Sequence, residues 1–582
     1  MNDEPIVNVA THLARLAAAE SNRLAVACHG SNKSARLTFR ELHERSVRLA
    51  YALQSIGIKR GLRTVLMVPP SLDFFALTFA LFKIGSVPVL IDPGMGLRNL
   101  GTCLAEAEPE AFVGTTKANL ARKLFGWARQ TIRITATTGW LFAQFRLGKL
   151  LRSTSENTDF SQAPTTVDET AAILFTSGST GVAKGAVYTH GNFAAQVELL
   201  RQTYGIEPGE ADLCTFPLFA LFGPALGMTA IIPQMNPTRP AQVDPRKIIA
   251  AIEEYKATNL FGSPALIDRV GRYGTEHGTR LPTLRRVISA GAPVPAKVVE
   301  RFSAMLGDGA QVFTPYGATE ALPVASIDSD ELRHTRAATE CGCGVCVGRP
   351  VDGMEVRIVG IDDGPIREWN ETLKVEQGQI GEIVVSGPVV TTSYFNRPEA
   401  TELAKIDDPD RGRIWHRMGD LGYLDSLGRL WFCGRKSQRV VTKNGTLFTI
   451  SCEAVFNSHP GVFRTALVGV PVNGDMRPVV CIEREPPVFP PNERVRIPTC
   501  EDLRGELDEI AARHRHTRAL TVFLCHRGFP VDIRHNAKIF REKLATWAAR
   551  KLRHYLWPDS PGRVKPPPTF DDLREPARSE RP

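Results

Sequence analysis

The stretch Leu174-Phe-Thr-Ser-Gly-Ser-Thr-Gly-Val-Ala-Lys-Gly185 decides the reading of this chain. It overlaps a continuous apolar run, Ala171-Ala-Ile-Leu-Phe175, which fits a buried strand. Beyond Phe175 the stretch is rich in glycine and hydroxyl side chains and closes on a cation. Glycines let successive backbone N–H groups converge on one point, and such nests bind phosphate. Gly178 and Gly181 supply that freedom. Thr176, Ser177, Ser179 and Thr180 add hydroxyl donors, and Lys184 adds a positive charge. The spacing is not that of the common P-loop, because Gly185 follows the lysine where Ser or Thr is required. A strand feeding such a loop points to polyphosphate handling; a surface linker of the same composition is the alternative.

The rest of the chain fits a multidomain globular protein. Its 582 residues suggest two to four domains, and 43% apolar with 23% charged residues is ordinary for such chains. The net charge of +9 suits attraction of anionic ligands or an anionic surface. No finger spacing or long basic run interleaved with aromatics points to nucleic acid. The 11 cysteines are scattered, and the start, Met-Asn-Asp-Glu-Pro, has no apolar signal core. Together these predict a reduced, cytoplasmic protein. Cys341, Cys343 and Cys346 match no zinc spacing and read as packing or turn residues.

No apolar run is long enough to cross a bilayer. Leu72 to Ile84 reads as a buried helix. Trp140 to Arg152 mixes bulky apolar and basic residues and predicts a helix. That helix would lie on a domain surface, at a tunnel mouth, or at a membrane interface.

Helix and strand patterns alternate over the first two-thirds, which predicts α/β layers with parallel sheets. Helices are expected at Thr38 to Ile56, His190 to Tyr204, Asp244 to Tyr255 and Lys297 to Leu306. Strands are expected at Thr64 to Val68, Val87 to Ile91, Leu284 to Ser289 and Ile380 to Val385. The texture changes near Gly434-Arg-Lys436. The expected division is a large N-terminal domain of layered α/β subdomains over 1–434, a small α+β C-terminal lid domain over 435–556, and a proline-rich disordered tail over 557–582.

Further motifs follow the phosphate loop in order: Ser289-Ala-Gly-Ala-Pro293, Thr314-Pro-Tyr-Gly-Ala-Thr-Glu320, His416-Arg-Met-Gly-Asp420, Gly434-Arg435 and Asn536-Ala-Lys538-Ile. With that loop they resemble the adenylate-forming superfamily, which includes acyl-CoA synthetases, luciferase and peptide-synthetase adenylation domains. The sequence departs from the usual motifs at Met418 and Ala537. The resemblance implies ATP and Mg²⁺. Thr176, Ser177, Gly178, Ser179, Thr180, Gly181 and Lys184 would hold the outer phosphates. Gly291, Ala292, Pro293, Tyr316, Gly317, Ala318 and Thr319 would surround the adenine, with Tyr316 stacked on it. Asp420 and Arg435 would meet the ribose and phosphate. Glu320, with Thr176, would hold the metal, and Lys538, Glu320 and Lys184 would serve catalysis. The residue types suit the chemistry, because a carboxylate attacking a phosphate brings two anions together.

Thr215-Phe-Pro-Leu-Phe-Ala-Leu-Phe-Gly223 offers an apolar wall of Phe216, Phe219, Leu221 and Phe222. It carries Ala220 where the superfamily usually has His. An alkyl carboxylate suits it. Nothing resembles the acidic residue that holds an amino group, so fatty acids are favoured over amino acids. Gln438 stands at the usual hinge Asp or Lys. Gly445 to Glu453 is one residue longer than usual and lacks a proline, which leaves thiol delivery an open question.

Tyr316 to Pro323, Gly445 to Val455 and Arg534 to Lys543 are similar to the β-lactone synthetases of bacterial olefin biosynthesis. That resemblance implies adenylation of a long-chain 2-alkyl-3-hydroxy acid and ring closure by its own hydroxyl. It also implies pathway partners: a thiolase-like condensing enzyme, a ketone reductase and a β-lactone decarboxylase. His416 is one candidate base, with packing the favoured role. The alternatives are a long-chain fatty acid–CoA ligase and a non-catalytic scaffold.

Overall fold

The computed structural model describes residues 7–30, 35–153, 160–175, 183–216, 222–485, 500–531, 539–555 and 569–571. The stretch Thr170–Phe175 is a strand, buried along nearly its whole length. It belongs to a seven-stranded sheet in the order Phe145–Arg146, Ile134–Thr137, Ala111–Gly114, Arg63–Met67, Val87–Leu90, Thr170–Phe175, Gly185–Thr189. Neighbours run parallel except the last pair, which is antiparallel. The phosphate-loop motif therefore follows a parallel strand at its carboxyl end, where open α/β sheets hold ligands.

Helix Leu72–Ile84 covers this sheet. Ser71 caps it by accepting from the Phe74 N–H, and Gly85 ends it at φ +73. It is apolar all round and buried all round, as the sequence requires. Helix His190–Tyr204 begins at a capping box between Thr189 and Asn192 and ends at left-handed Gly205.

A nine-stranded sheet lies beside it. Its six central strands, from Leu24–Cys28 through Gln311–Ala318, are parallel, with antiparallel strands at both edges. A third, antiparallel sheet carries Arg413–Leu424 between Gly381–Ser386 and Leu430–Arg435, and Lys405–Asp408 pairs with it. After Arg435 come a hairpin, Val440–Thr442 with Gly445–Leu447, and a three-stranded sheet, Val462–Val472, Asp475–Arg484 and Phe523–His526. Helices Thr449–Asn457, Cys500–Ala512 and Arg541–Lys551 accompany them.

Two expectations need correction. Trp140 to Arg152 is not one helix: bends at Gly139–Gln144 lead into the short edge strand Phe145–Arg146 and the helix Leu147–Ser153. The cause is parallel pairing of Phe145–Arg146 with Ile134–Thr137, a tertiary contact that local pattern does not carry. The tail is also not uniformly detached. Phe570 stacks on Trp431 at 5.4 Å, its N–H donates to the Tyr423 hydroxyl at 3.0 Å, and Arg429 lies over its ring. One aromatic residue finds a slot that mean composition hides.

Cys343 and Cys346 are buried in the core, in line with a packing role. Nine described cysteines are free thiols. Among the described residues, no helix is long and apolar enough to cross a membrane.

Candidate active site

Tyr316 and Glu320 sit on a hairpin between Gln311–Ala318 and Ala321–Ile327. Ala318 faces Ala321, which leaves Thr319 and Glu320 as the turn. Gly317 is required there: a Cβ would stand 2.6 Å from the Ala321 carbonyl oxygen. The Tyr188 hydroxyl donates to the Thr319 carbonyl, and Gln196 donates to that of Leu322 at 2.9 Å. These bonds hold the hairpin against the first sheet. Ser289 to Pro293 leaves the neighbouring parallel strand Arg286–Ser289, with Gly291 at φ +99. Both motifs thus occupy one edge of the sheet.

Asp420 arrives from the third sheet and pairs across it with Arg435. Its Oδ2 accepts from the Tyr316 hydroxyl at 2.7 Å, and Arg435 Nη1 stands 3.0 Å from Oδ1. Burial raises the Asp420 carboxyl above its usual value, with Arg435 opposing. Asp420 itself holds the Arg435 guanidinium charged more firmly. Asp420 Oδ1 is buried with no aligned hydrogen-bond donor, so an acceptor remains for a ligand hydroxyl. That fits a ribose.

A segment that sequence reasoning missed completes the cluster. Residues 391–395 lie along the strand Gly185–Thr189, with Val187 donating to Ser393 at 3.1 Å and Phe395 to Gly185 at 2.8 Å. The Tyr394 hydroxyl donates to Glu320 Oε1 at 2.7 Å, and the Lys184 ammonium lies 4.9 Å from the Tyr394 ring centre. Thr391 donates through its N–H to the Glu320 carbonyl at 2.9 Å. Lys405, buried, donates to the Thr391 carbonyl. Desolvation pushes the Lys405 amine down to about 7, with Glu320 opposing. Ser393-Tyr-Phe-Asn396 and Lys405 carry no local spacing that ties them to Glu320, 70 or more residues away.

Glu320 keeps a carboxylate oxygen beyond the one Tyr394 engages. Such hard oxygen chemistry fits Mg²⁺. The structure therefore brings together Lys184, Tyr316, Glu320, Asp420 and Arg435. Thr176, Ser177, Gly178, Ser179, Thr180, Gly181 and Lys538 lie outside the described residues, as do Phe219, Ala220 and Leu221. His416 is buried with Nδ1 3.1 Å from the Ala404 carbonyl, and burial drives its proton affinity well below that of a free imidazole. That is a packed, neutral ring. Phe222 lines an apolar cavity beside the hairpin with Phe261, Ile288, Pro315 and Leu322, and Asp212 and Asn259 also border it. Phe216 packs near Phe261, ring centres 6.4 Å apart.

A family model described as AMP-binding enzyme matches residues 13–395. The chain belongs to this AMP-binding enzyme family. It is accordingly an ATP-dependent, AMP-forming ligase. Two relatives, from Xanthomonas campestris pv. campestris and Stenotrophomonas maltophilia, are each named olefin beta-lactone synthetase. Each is 48% identical to this chain over 94% of its length and 98% of their own. The crystal structure of ATP-bound MatB from Rhodopseudomonas palustris superposes with a TM-score of 0.75 at 23% identity, covering 93% of this chain and 99% of that one. The fold is therefore that of adenylate-forming enzymes, with a large N-terminal assembly and a small C-terminal one.

Proposed function

We propose that this enzyme adenylates a long-chain 2-alkyl-3-hydroxy acid in the cytoplasm and closes it to a β-lactone. The observation that carries this reading is the 48% identity, over almost the whole chain, to proteins named olefin beta-lactone synthetase. The clustered Glu320, Tyr316, Asp420 and Arg435 give it a chemical seat.

The substrate carboxylate attacks the α-phosphorus of ATP, and the bond to the bridging oxygen breaks to release pyrophosphate. The phosphate loop Thr176 to Gly181 and Lys184 neutralise the outer phosphates. Gly291 to Pro293 and the Tyr316 ring border the adenine, together with Gly317 and Ala318 at the end of the strand and Thr319 in the turn. Asp420 accepts from the ribose hydroxyls, and Arg435 balances the charge. Glu320 and Thr176 would hold Mg²⁺, which supplies charge neutralisation at the phosphates. Lys538, in the proposed lid 435–556, would supply a catalytic cation to the site of the body, 1–434. The apolar cavity at Phe222 takes an alkyl chain.

The hydroxyl oxygen on C3 then attacks the acyl carbon and loses its proton, and the bond to AMP breaks. An internal nucleophile held in place is worth about 7–11 kcal/mol over a dilute external one. The product suits a decarboxylating partner, and the substrate a condensing enzyme and a ketone reductase upstream.

The test incubates a fatty acid or a 3-hydroxy-2-alkyl acid with MgATP, with and without CoA. CoA-independent release of AMP with the hydroxy acid alone supports ring closure. Release that requires CoA overturns it in favour of a ligase.

A further inference from the structure

From Ala111 to Ser155 the chain carries eight basic residues, three lysines and five arginines, and no aspartate or glutamate. The whole chain is far more balanced, with 71 basic and 62 acidic residues. The same segment holds Leu124, Phe125, Trp140, Leu141 and Phe142, five of the twelve large apolar side chains that stand exposed among the described residues. Trp140 is 71% and Leu124 72% exposed. Trp140, Leu141 and Phe142 are consecutive, and an apolar group of this kind on a water-facing surface marks an interaction site.

The cluster is built, not frayed. The Trp140 N–H donates to Thr116 Oγ1 at 3.1 Å, which ties the bend to the first turn of helix Thr116–Phe125. Phe142 takes φ +68, a left-handed conformation uncommon for a bulky residue, and it turns the chain sharply here. Arg146 covers one face of the Trp140 ring at 4.3 Å. Lys123, Arg129, Arg133, Lys149 and Arg152 are exposed in the same segment.

Its place in the fold matters. The bend follows the strand Ile134–Thr137, and the phosphate loop follows Thr170–Phe175. The strands are parallel, so the bend and the end of the strand at Phe175 lie at one edge of the sheet. Four strand spacings separate them, roughly 19 Å.

We propose that this face docks reversibly on an anionic lipid surface. The tips of Trp140, Leu141 and Phe142 enter the headgroup layer while the lysines and arginines meet lipid phosphates. The positive charge of a segment that holds no acid from Ala111 to Ser155 selects a negative surface. Docking points the substrate edge of the sheet toward the bilayer, from which a long-chain acid is taken; that benefit, though not the docking, rests on the substrate class proposed above.

The experiment is flotation of the full chain with vesicles of phosphatidylcholine alone or mixed with phosphatidylglycerol. The chain is expected to float with the mixed vesicles and to be released as salt rises. Leu141→Ser/Phe142→Ser and Lys149→Glu/Arg152→Glu are each expected to weaken binding about tenfold or more. Pyrophosphate exchange with a short soluble acid and the melting temperature stay unchanged, which shows the variants are folded. The proposal is overturned if the parent ignores both vesicles, if it binds neutral vesicles equally well at any salt, or if both variants bind like the parent. It is also overturned if the serine variant changes only self-association, which would mean that a second copy covers the face. Failed docking with intact lactone formation leaves the proposed function standing, and the reverse result removes only that function.

Discussion

The phenol of Tyr316 donates to Oδ2 of Asp420 at 2.7 Å, across 104 residues of chain. The bond joins the edge of the nine-stranded sheet to the third sheet, and Arg435 closes the other side of the carboxylate. The seat proposed for the nucleotide thus consists of polar groups already held by one another. Preorganised polar groups of this kind need little rearrangement when charge develops.

Asp420→Asn keeps the shape and removes the charge that both Tyr316 and Arg435 face. A hydrogen bond to a charged group is worth about 1.5–3 kcal/mol. The KM for ATP in pyrophosphate exchange is expected to rise about ten- to a hundredfold. An unchanged KM would exclude Asp420 from nucleotide contact.

Glu320→Gln removes the carboxylate that Tyr394 and the turn hold in place. The loss of a preorganised electrostatic group is expected to cost about a hundred- to a thousandfold in exchange rate. A Mg²⁺ titration of MgATP binding by calorimetry, read without turnover, is expected to shift to higher Mg²⁺. Tyr394→Phe keeps the carboxylate and is expected to lose far less.

Lys405 gives a dependence on pH. Burial lowers its amine from the ordinary 10.5 to about 7 in the folded chain. Between those values the unfolded chain binds the extra proton, so stability rises with pH across this window and is flat below it. Lys405→Met is expected to abolish that rise. Urea midpoints of parent and variant at several pH values check it, and parallel curves would refute the assignment.

Gly434 stands at φ +134 just before Arg435, and a Cβ there would meet Thr449 Oγ1 at 2.5 Å. Gly434→Ala is expected to cost about 1–3 kcal/mol of stability from backbone strain. It is also expected to weaken ATP binding, because Arg435 follows it. Denaturant unfolding and the KM for ATP measure the two effects separately.

Much of this was legible along the chain. Leu72 to Ile84 and His190 to Tyr204 appear as read, because continuous or periodic apolar runs end there on Gly85 and Gly205, which accept left-handed geometry. Tyr316, Glu320, Asp420 and Arg435, which the fold brings together, can be singled out in the sequence because each sits in a compact motif. Tyr394, Thr391 and Lys405 were not, since their roles come from a strap laid beside Gly185–Thr189 after the sheets have formed.

By itself the sequence determined the layered α/β class, the order of the motifs and the placement of residue types suited to phosphate, since period and glycine placement are local properties of the backbone. Only the tertiary structure decided which distant side chains meet Glu320, that His416 is a buried neutral ring, and that Trp140 to Phe142 point into water. Those outcomes depend on desolvation and on contacts between strands far apart in the chain, and no stretch of neighbouring residues encodes either.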